Sequence, residues 1–392
     1  VLKFQTYLKE EEEGAKLKHI HHAEDRPLMH GHQGFEHAHG ALSHAHEHIK
    51  SGKTDSSLSM KYDGSPAVVY GHHPETGKFF VASKSAFNKN PKLNYTHDDI
   101  QKHHGHAPGL VDKLSAALTH LPKVAPKKGV FQGDLMHSKT DVHHDEKKGT
   151  ATFKPNTISY TAHGDEAKKV KDSHVGIVTH TQYHGKDLAS MHAKPLENEK
   201  GFKQHPDVYQ KSPSHDTSKV NYPASAQKKF QGHMDAAKKI HDEHGHKMYN
   251  AVHASHSGDA GHLATYINST VRTGEKPSAK GFQNHITSHY EKQASKVKTE
   301  KSQSAKRAEG SSQVTHIEKN KEHYTNLLNM HGHLQQAKNT LVKHLETHEG
   351  GLEHHIDGKK SKPEGFVVHH DNQPTKLVNR AEFARSNLLK AR

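Results

Sequence analysis

Apolar positions along the chain fall into blocks whose spacing changes from one to the next. Between 34 and 50, Phe35, Ala38, Ala41, Leu42, Ala45 and Ile49 recur three or four residues apart, which predicts a helix with its histidines turned to water. The period shortens after Gly52. Leu58-Ser59-Met60-Lys61, Ala67-Val68-Val69-Tyr70 and Phe79-Phe80-Val81-Ala82 predict three short strands joined by turns, with Pro74-Glu75-Thr76-Gly77 closing the second hairpin. A helix is expected at 108–121, a strand at 129–136, and two more strands at 150–162 and 174–183 separated by a charged turn at Gly164-Asp165-Glu166. Helical spacing dominates 195–350, as in Phe230, Met234, Ala237 and Ile240, and again in Tyr324, Leu327, Leu328, Leu334, Leu341 and Leu345. Its middle, 291–314, is so rich in Lys, Ser, Gln and Glu that a poorly packed helix or a linker is expected. Strand character returns at 365–370 and 376–378, before a short helix at 380–391.

Only 30% of the 392 residues are apolar and the mean hydropathy is -1.00, so the core has to be compact and interrupted. Four blocks, around 58–87, 129–136, 151–188 and 364–389, carry the apolar residues that would build it. A formal charge of +13 favours a polyanionic partner such as nucleic acid or nucleotide. Without cysteine there is no disulfide framework, thiolate catalysis or Cys-ligated zinc. No apolar run reaches the ~18 residues of a membrane span, and the N-terminus lacks the apolar core of a signal peptide, so the expectation is a protein without membrane segments that is not secreted by that route. The 46 histidines cluster at His19-Ile20-His21-His22, His30-Gly31-His32 and His103-His104-Gly105-His106, among others. They form no defensible four-ligand arrangement, and solvated side chains are the expectation.

The candidate chemistry centres on Lys61-Tyr62-Asp63-Gly64. A lysine is a nucleophile only as the neutral amine, which requires a setting that lowers its pKa; the end of an apolar strand could supply one. Gly64 would let backbone approach a ligand closely, and Asp63 would put a carboxylate near a reacting phosphate. Taken alone, the four residues are also read as a hairpin whose Asp-Gly makes the turn.

The order of the other segments extends the pattern. Lys61-Tyr62-Asp63-Gly64-Ser65-Pro66 resembles the first motif of the covalent nucleotidyltransferase superfamily, which comprises ATP-dependent DNA ligases, RNA ligases and mRNA capping enzymes. Ser83-Lys84 falls where that family has Ser-Arg, and Phe131-Gln132-Gly133-Asp134-Leu135 resembles the third motif, usually Gly-Glu. The segment from Gly176 to Leu188 resembles the strand and turn that follow, Glu364-Gly365-Phe366-Val367-Val368 the fourth motif, and Lys376-Leu377 the start of the fifth. The resemblance implies an α+β fold: an antiparallel-sheet, ATP-grasp-like ligase core with a large helical insertion and no C-terminal five-stranded barrel. The corresponding domains are 1–50, a leader and helix; 51–194, the first part of the nucleotidyltransferase core; 195–350, the insertion; and 351–392, the last core strands and the C-terminal helix. The opening residues resemble the short leader of many proteins of large tailed phages, which implies action in an infected cell's cytoplasm or packaging in a virion.

The implied activity is ATP-dependent joining of polynucleotides, RNA rather than DNA, through a lysyl-AMP intermediate. Lys61 would attack the α-phosphorus of ATP, and Lys376 would neutralise the growing charge, with Asp63 as the third catalytic residue. Gly64, Lys84, Asp134, Phe153, Tyr160 and Glu364 would complete the nucleotide site, with Phe153, Tyr160 and Tyr183 competing as the ring that stacks on adenine. Asp63, Asp134 and Glu364 would be the oxygen ligands of Mg²⁺. The partner would be nucleic acid with 5′-phosphate and 3′-hydroxyl ends, held by phosphate contacts. Two positions depart from the family: Asp134 is one methylene shorter than the usual Glu, and Val378 stands where a second lysine is usual. A non-catalytic nucleic-acid-binding or virion-associated protein with the same fold is the alternative.

Overall fold

A computed structural model of the chain describes residues 20–253 and 259–380, leaving aside the side chains of Lys84 and Asp259. Most of the expected leader and of the C-terminal helix at 380–391 lies outside the described residues. The first half of the fold runs α1 (Arg26–Ser51), β1 (Leu58–Lys61), β2 (Ala67–His72), β3 (Phe79–Ala82), α2 (His97–His104), α3 (Pro108–His120), β4 (Val130–Ser138), β5 (His143–Asp145), β6 (Thr150–Phe153), β7 (Ser159–His163), α4 (Gly164–Asp172) and β8 (Val175–His184). The second half continues with β9 (His192–Pro195), β10 (Val208–Gln210), α5 (Ala224–His253), α6 (Asp259–Thr273), α7 (Ala279–Ala294), α8 (Glu300–Lys319), α9 (Lys321–Leu345), β11 (Glu353–Ile356), β12 (Lys359–Lys360), β13 (Gly365–His370) and β14 (Gln373–Leu377).

The chain divides into two units. One contains 51–220 and 345–374; the other contains 21–50, 221–344 and the residues from 375 on. These lines differ from the expected ones: 195–220 stays with the sheets because β10 pairs in parallel with β8, while α1 belongs to the helical unit. Apart from that pair, the registered strand pairs are antiparallel, and among the described residues no sheet closes into a barrel. No helix among them is long and apolar enough to cross a membrane.

In the sheet unit the strand order is β10-β8-β4-β2-β3, with β9 on the outer part of β8. Alternation explains its two faces. Val68, Tyr70, Phe131, Leu135 and Ile177 point to one side and pack against Ile100 of α2 and Val111, Leu114 and Ala117 of α3. Val69, Phe80, Ala82, Val130 and Tyr183 form the core of the other side. Burial of each large apolar side chain contributes roughly 1.5–3 kcal/mol, so this two-sided sheet is the main support of the unit. Both helices begin on readable signals: Thr96 and Asp99 make a reciprocal cap at α2, and Pro108 opens α3. A second sheet, in the order β12-β11-β7-β6-β5, resolves the expected strand 150–162 into the hairpin β6–β7. The expected charged turn at 164–166 is instead the start of α4.

The helical unit buries Phe230, Met234 and Ala237 of α5 at the predicted spacing, with Tyr324, Leu327, Leu334 and Leu341 of α9. The polar stretch at 291–314 ends α7 and forms most of α8, which buries only Gly310, Gln313 and Ile317. Gly310 is needed there, since a Cβ would lie 2.7 Å from Cβ of Tyr290. In α1, Gly31 breaks the helix with φ 58°.

The expectation that the histidines are solvated fails at several positions. His137, His354 and His369 are buried or nearly so, and burial, first among the causes, pushes each imidazole down to about 4. Gly176 makes room for His137, whose ring a Cβ there would meet at 2.4 Å. Because these folded-state values lie below the ordinary 6.5, the unfolded chain takes up more protons between pH 6.5 and 4. Their contribution to stability is full above pH 6.5 and is lost as pH falls towards 4. The midpoint of urea unfolding is therefore expected to be lower at pH 5 than at pH 7, and equal midpoints would contradict neutral, buried rings.

Candidate active site

Lys61 is the last residue of β1, opposite Gly365 of β13 in an antiparallel register that also pairs Leu58 with Val368. The residue before Gly365 is Glu364, and Lys61 Nζ donates a hydrogen bond to its Oε2 at 2.5 Å. The Lys61 side chain is 28% exposed and that of Glu364 13%, so the pair is reachable from solvent but poorly hydrated.

After Lys61 the chain turns, and Asp63 fixes the turn. Its backbone N–H donates to Tyr160 Oη at 2.7 Å. Its carboxylate accepts from Asn156 Nδ2 at 2.8 Å and from the backbone N–H groups of Thr157 and Ile158 at 2.7 and 2.9 Å. Both oxygens are thus engaged by donors from the β6–β7 turn, where a carboxylate satisfies backbone groups that would otherwise be buried without partners. Gly64 then passes against β4: an added Cβ would lie 2.6 Å from Cβ of Asp134, so only glycine permits this approach. Ser65 N–H donates to the Leu135 carbonyl at 2.9 Å and Leu135 N–H to that of Pro66 at 3.0 Å, which starts β2 with Ala67 opposite Asp134. Asp134 remains half-buried, its Oδ2 3.6 Å from His180 Nε2.

Three carboxylates therefore act on one ammonium. Desolvation alone would lower the Lys61 pKa, but Glu364 opposes it by charge and hydrogen bond, Asp134 and Asp63 add to that, and the amine ends above the usual lysine range. The apolar strand end expected to lower it is outweighed, and the resting state is an ion pair.

Phe153 and Tyr160, the expected base-stacking candidates, are buried at 1% and 0% exposure and stack on each other with centroids 5.6 Å apart. Their faces are occupied by protein, and Tyr160 serves Asp63 instead. Lys84 opens the short turn Lys84–Phe87, which Ser83 caps. Lys376 belongs to the helical unit, where its backbone N–H donates to the His21 carbonyl at 2.9 Å. Of the expected metal ligands, Asp134 lies against Gly64 and Glu364 is paired with Lys61, whereas both oxygens of Asp63 accept hydrogen bonds from the β6–β7 turn.

A family model described as "Family of unknown function (DUF6267)" matches residues 17–392. The chain belongs to that family. No curated protein and no solved structure matches it. Within this DUF6267 chain, the partners that sequence reasoning missed are Asn156, His180 and Lys113, whose Nζ donates to the Ser65 carbonyl at 3.0 Å. Only Asn156 had a local signal, its place after Pro155 in a turn-forming run.

Proposed function

We propose that this chain is an ATP-dependent nucleotidyltransferase with Lys61 as nucleophile, acting as a polynucleotide ligase on RNA ends in preference to DNA ends. The observation that carries the proposal is the 2.5 Å contact of Lys61 with Glu364, which brings together the segments resembling the first and fourth motifs across 303 residues of sequence. Asp134, from the segment resembling the third motif, stands against Gly64 beside them.

In the first step the Lys61 nitrogen forms a bond to the α-phosphorus of ATP while the bond to pyrophosphate breaks. Before that, Lys61 has to give up the proton of the ion pair, and Glu364 Oε2 is the atom placed to receive it. Mg²⁺, held by Asp134 and Glu364, would supply positive charge that offsets these carboxylates and the phosphate oxygens. The AMP would then pass to a 5′-phosphate, and a 3′-hydroxyl would displace it to seal the strand. The roles of Lys84 on ribose or phosphate and of Lys376 on the α-phosphate rest on the resemblance. The excess of 13 positive charges supports a nucleic-acid partner, and the leader supports action in an infected cell or a virion.

Lys61 is held protonated chiefly by Glu364, against the pull of desolvation. Glu364→Gln is therefore expected to slow formation of the AMP adduct and to move the rising limb of its pH profile to lower pH. An unmoved limb, measured by intact mass against pH, would mean that Glu364 does not set the protonation of Lys61. The second reading, a nucleic-acid-binding protein with this fold and no catalysis, is favoured by the engaged carboxylate of Asp63 and the closed rings of Phe153 and Tyr160. Absence of any adduct in nucleotide-free protein would select it.

A further inference from the structure

Among the described residues, two groups of side chains bring metal-ligating atoms within 4.8 Å of one another: His120, His174 and Asp207, and His32, Glu36 and His241. In the first group, Lys123 Nζ already sits on Asp207 Oδ2 and His120 Nδ1 is 3.1 Å from the same oxygen, so the carboxylate is neutralised from within the protein. In the second group no Lys or Arg among the described residues is paired with the carboxylate; Lys238, which acts on Glu36 by charge, is paired with Asp242.

His32 and Glu36 lie one turn apart on α1, just beyond the break at Gly31, and both are exposed. His241 of α5 is 5% exposed, its ring stacked on Phe35 with centroids 3.9 Å apart and planes 11° apart. Its Nδ1 is 2.8 Å from the Tyr249 hydroxyl, which itself donates to the Met330 sulfur at 3.7 Å. With Nδ1 engaged by Tyr249, the ring is fixed and Nε2 is the nitrogen turned towards α1. Nε2 faces Glu36 Oε1 at 3.5 Å. A buried, oriented ring thus presents Nε2 beside a carboxylate oxygen, the arrangement that a metal-binding histidine with a fixed outer hydrogen bond shows.

We propose that His32, Glu36 and His241 form a binding site for a divalent transition metal of the Zn²⁺ type. Ligand atoms on a tetrahedral Zn²⁺ stand about 3.3 Å apart, given bonds of about 2.0–2.1 Å. The Glu36–His241 spacing is already close to this, and rotation of the exposed His32 ring supplies the third ligand. The fourth position opens to solvent and takes water. Bound metal ties α1 to α5, two elements about 200 residues apart in sequence.

The test is Zn²⁺ titration of the chelator-stripped full chain in competition with a chromophoric chelator, together with the thermal midpoint with and without Zn²⁺. One equivalent is expected to bind more tightly than the remaining histidine-rich surface and to raise the midpoint. Glu36→Gln and His32→Asn, both at exposed positions that leave the core intact, are each expected to weaken that equivalent by about tenfold or more and to abolish the rise. His174→Asn is expected to leave both unchanged. Co²⁺ in place of Zn²⁺ is expected to give visible bands of tetrahedral intensity that are lost in Glu36→Gln. Binding and midpoint shift that are the same in Glu36→Gln and His32→Asn as in the parent would overturn the proposal, as would loss of the tight equivalent in His174→Asn alone. None of these readouts involves ATP, so the result stands apart from the reaction at Lys61.

Discussion

Incubated with ATP and Mg²⁺, the chain is expected to gain the mass of one AMP, and Lys61→Ala none. The expected effect is complete, because no other group could replace the attacking nitrogen at the end of β1. Lys61→Arg sharpens the comparison. Its guanidinium keeps a positive charge for Glu364 and so preserves the ion pair that joins β1 to the start of β13, yet it stays protonated and cannot attack phosphorus. A folded Lys61→Arg without adduct therefore separates loss of chemistry from loss of structure. An adduct that survived in both variants would place the nucleophile elsewhere. A parent free of bound nucleotide that forms none would leave the binding-protein reading.

The second large effect is expected in the helical unit. Lys338 on α9 is fully buried and donates to Glu24 Oε1 at 2.5 Å, while Arg380 pairs with Asp25 and His331 Nε2 lies 3.1 Å from Asp25 Oδ1. Burial raises the Glu24 carboxyl, but Lys338 and Arg380 more than reverse this and bring it to about 2. Removing one member of a buried pair leaves an uncompensated charge, which costs about 3–5 kcal/mol. Lys338→Ala is expected to lower stability by that order, measured by urea unfolding followed through helical circular dichroism. Lys338→Met combined with Glu24→Leu is expected to recover most of the loss, because neither charge then remains to be desolvated. Equal losses in the single and the double variant would show that packing, and not charge, dominates the position. Since the Glu24 carboxyl is depressed from 4.5 in the folded chain, its share of stability is full above about pH 4.5 and declines as pH falls towards 2.

Elements with a strong internal period were legible. The apolar stripe of α1, strands β1 to β4, α3 and the apolar spacing of α5 and α9 all follow from neighbours two, three or four residues away. Short or polar elements were not: β10 has three residues and β12 two, too few for a period to show, and α8 carries little apolar surface. At the candidate site, Lys61, Gly64, Asp134 and Glu364 could be named from their segments. The engagement of Asp63 could not, because its partners Asn156, Thr157 and Ile158 come from a turn more than ninety residues away. Phe153 and Tyr160 were marked for their aromatic rings, but which face of a hairpin is covered depends on the layer packed against it.

The sequence by itself determined the elements with a strong internal period, that the core would be interrupted, and which residues could supply a lysine nucleophile and carboxylates. Only the tertiary structure decided that β1 pairs with β13, that three carboxylates hold Lys61 protonated, and that His241 is buried with its Nε2 towards Glu36. Periodicity is a property of adjacent residues, whereas register, burial and the charge on an ionisable group depend on what distant segments place beside it.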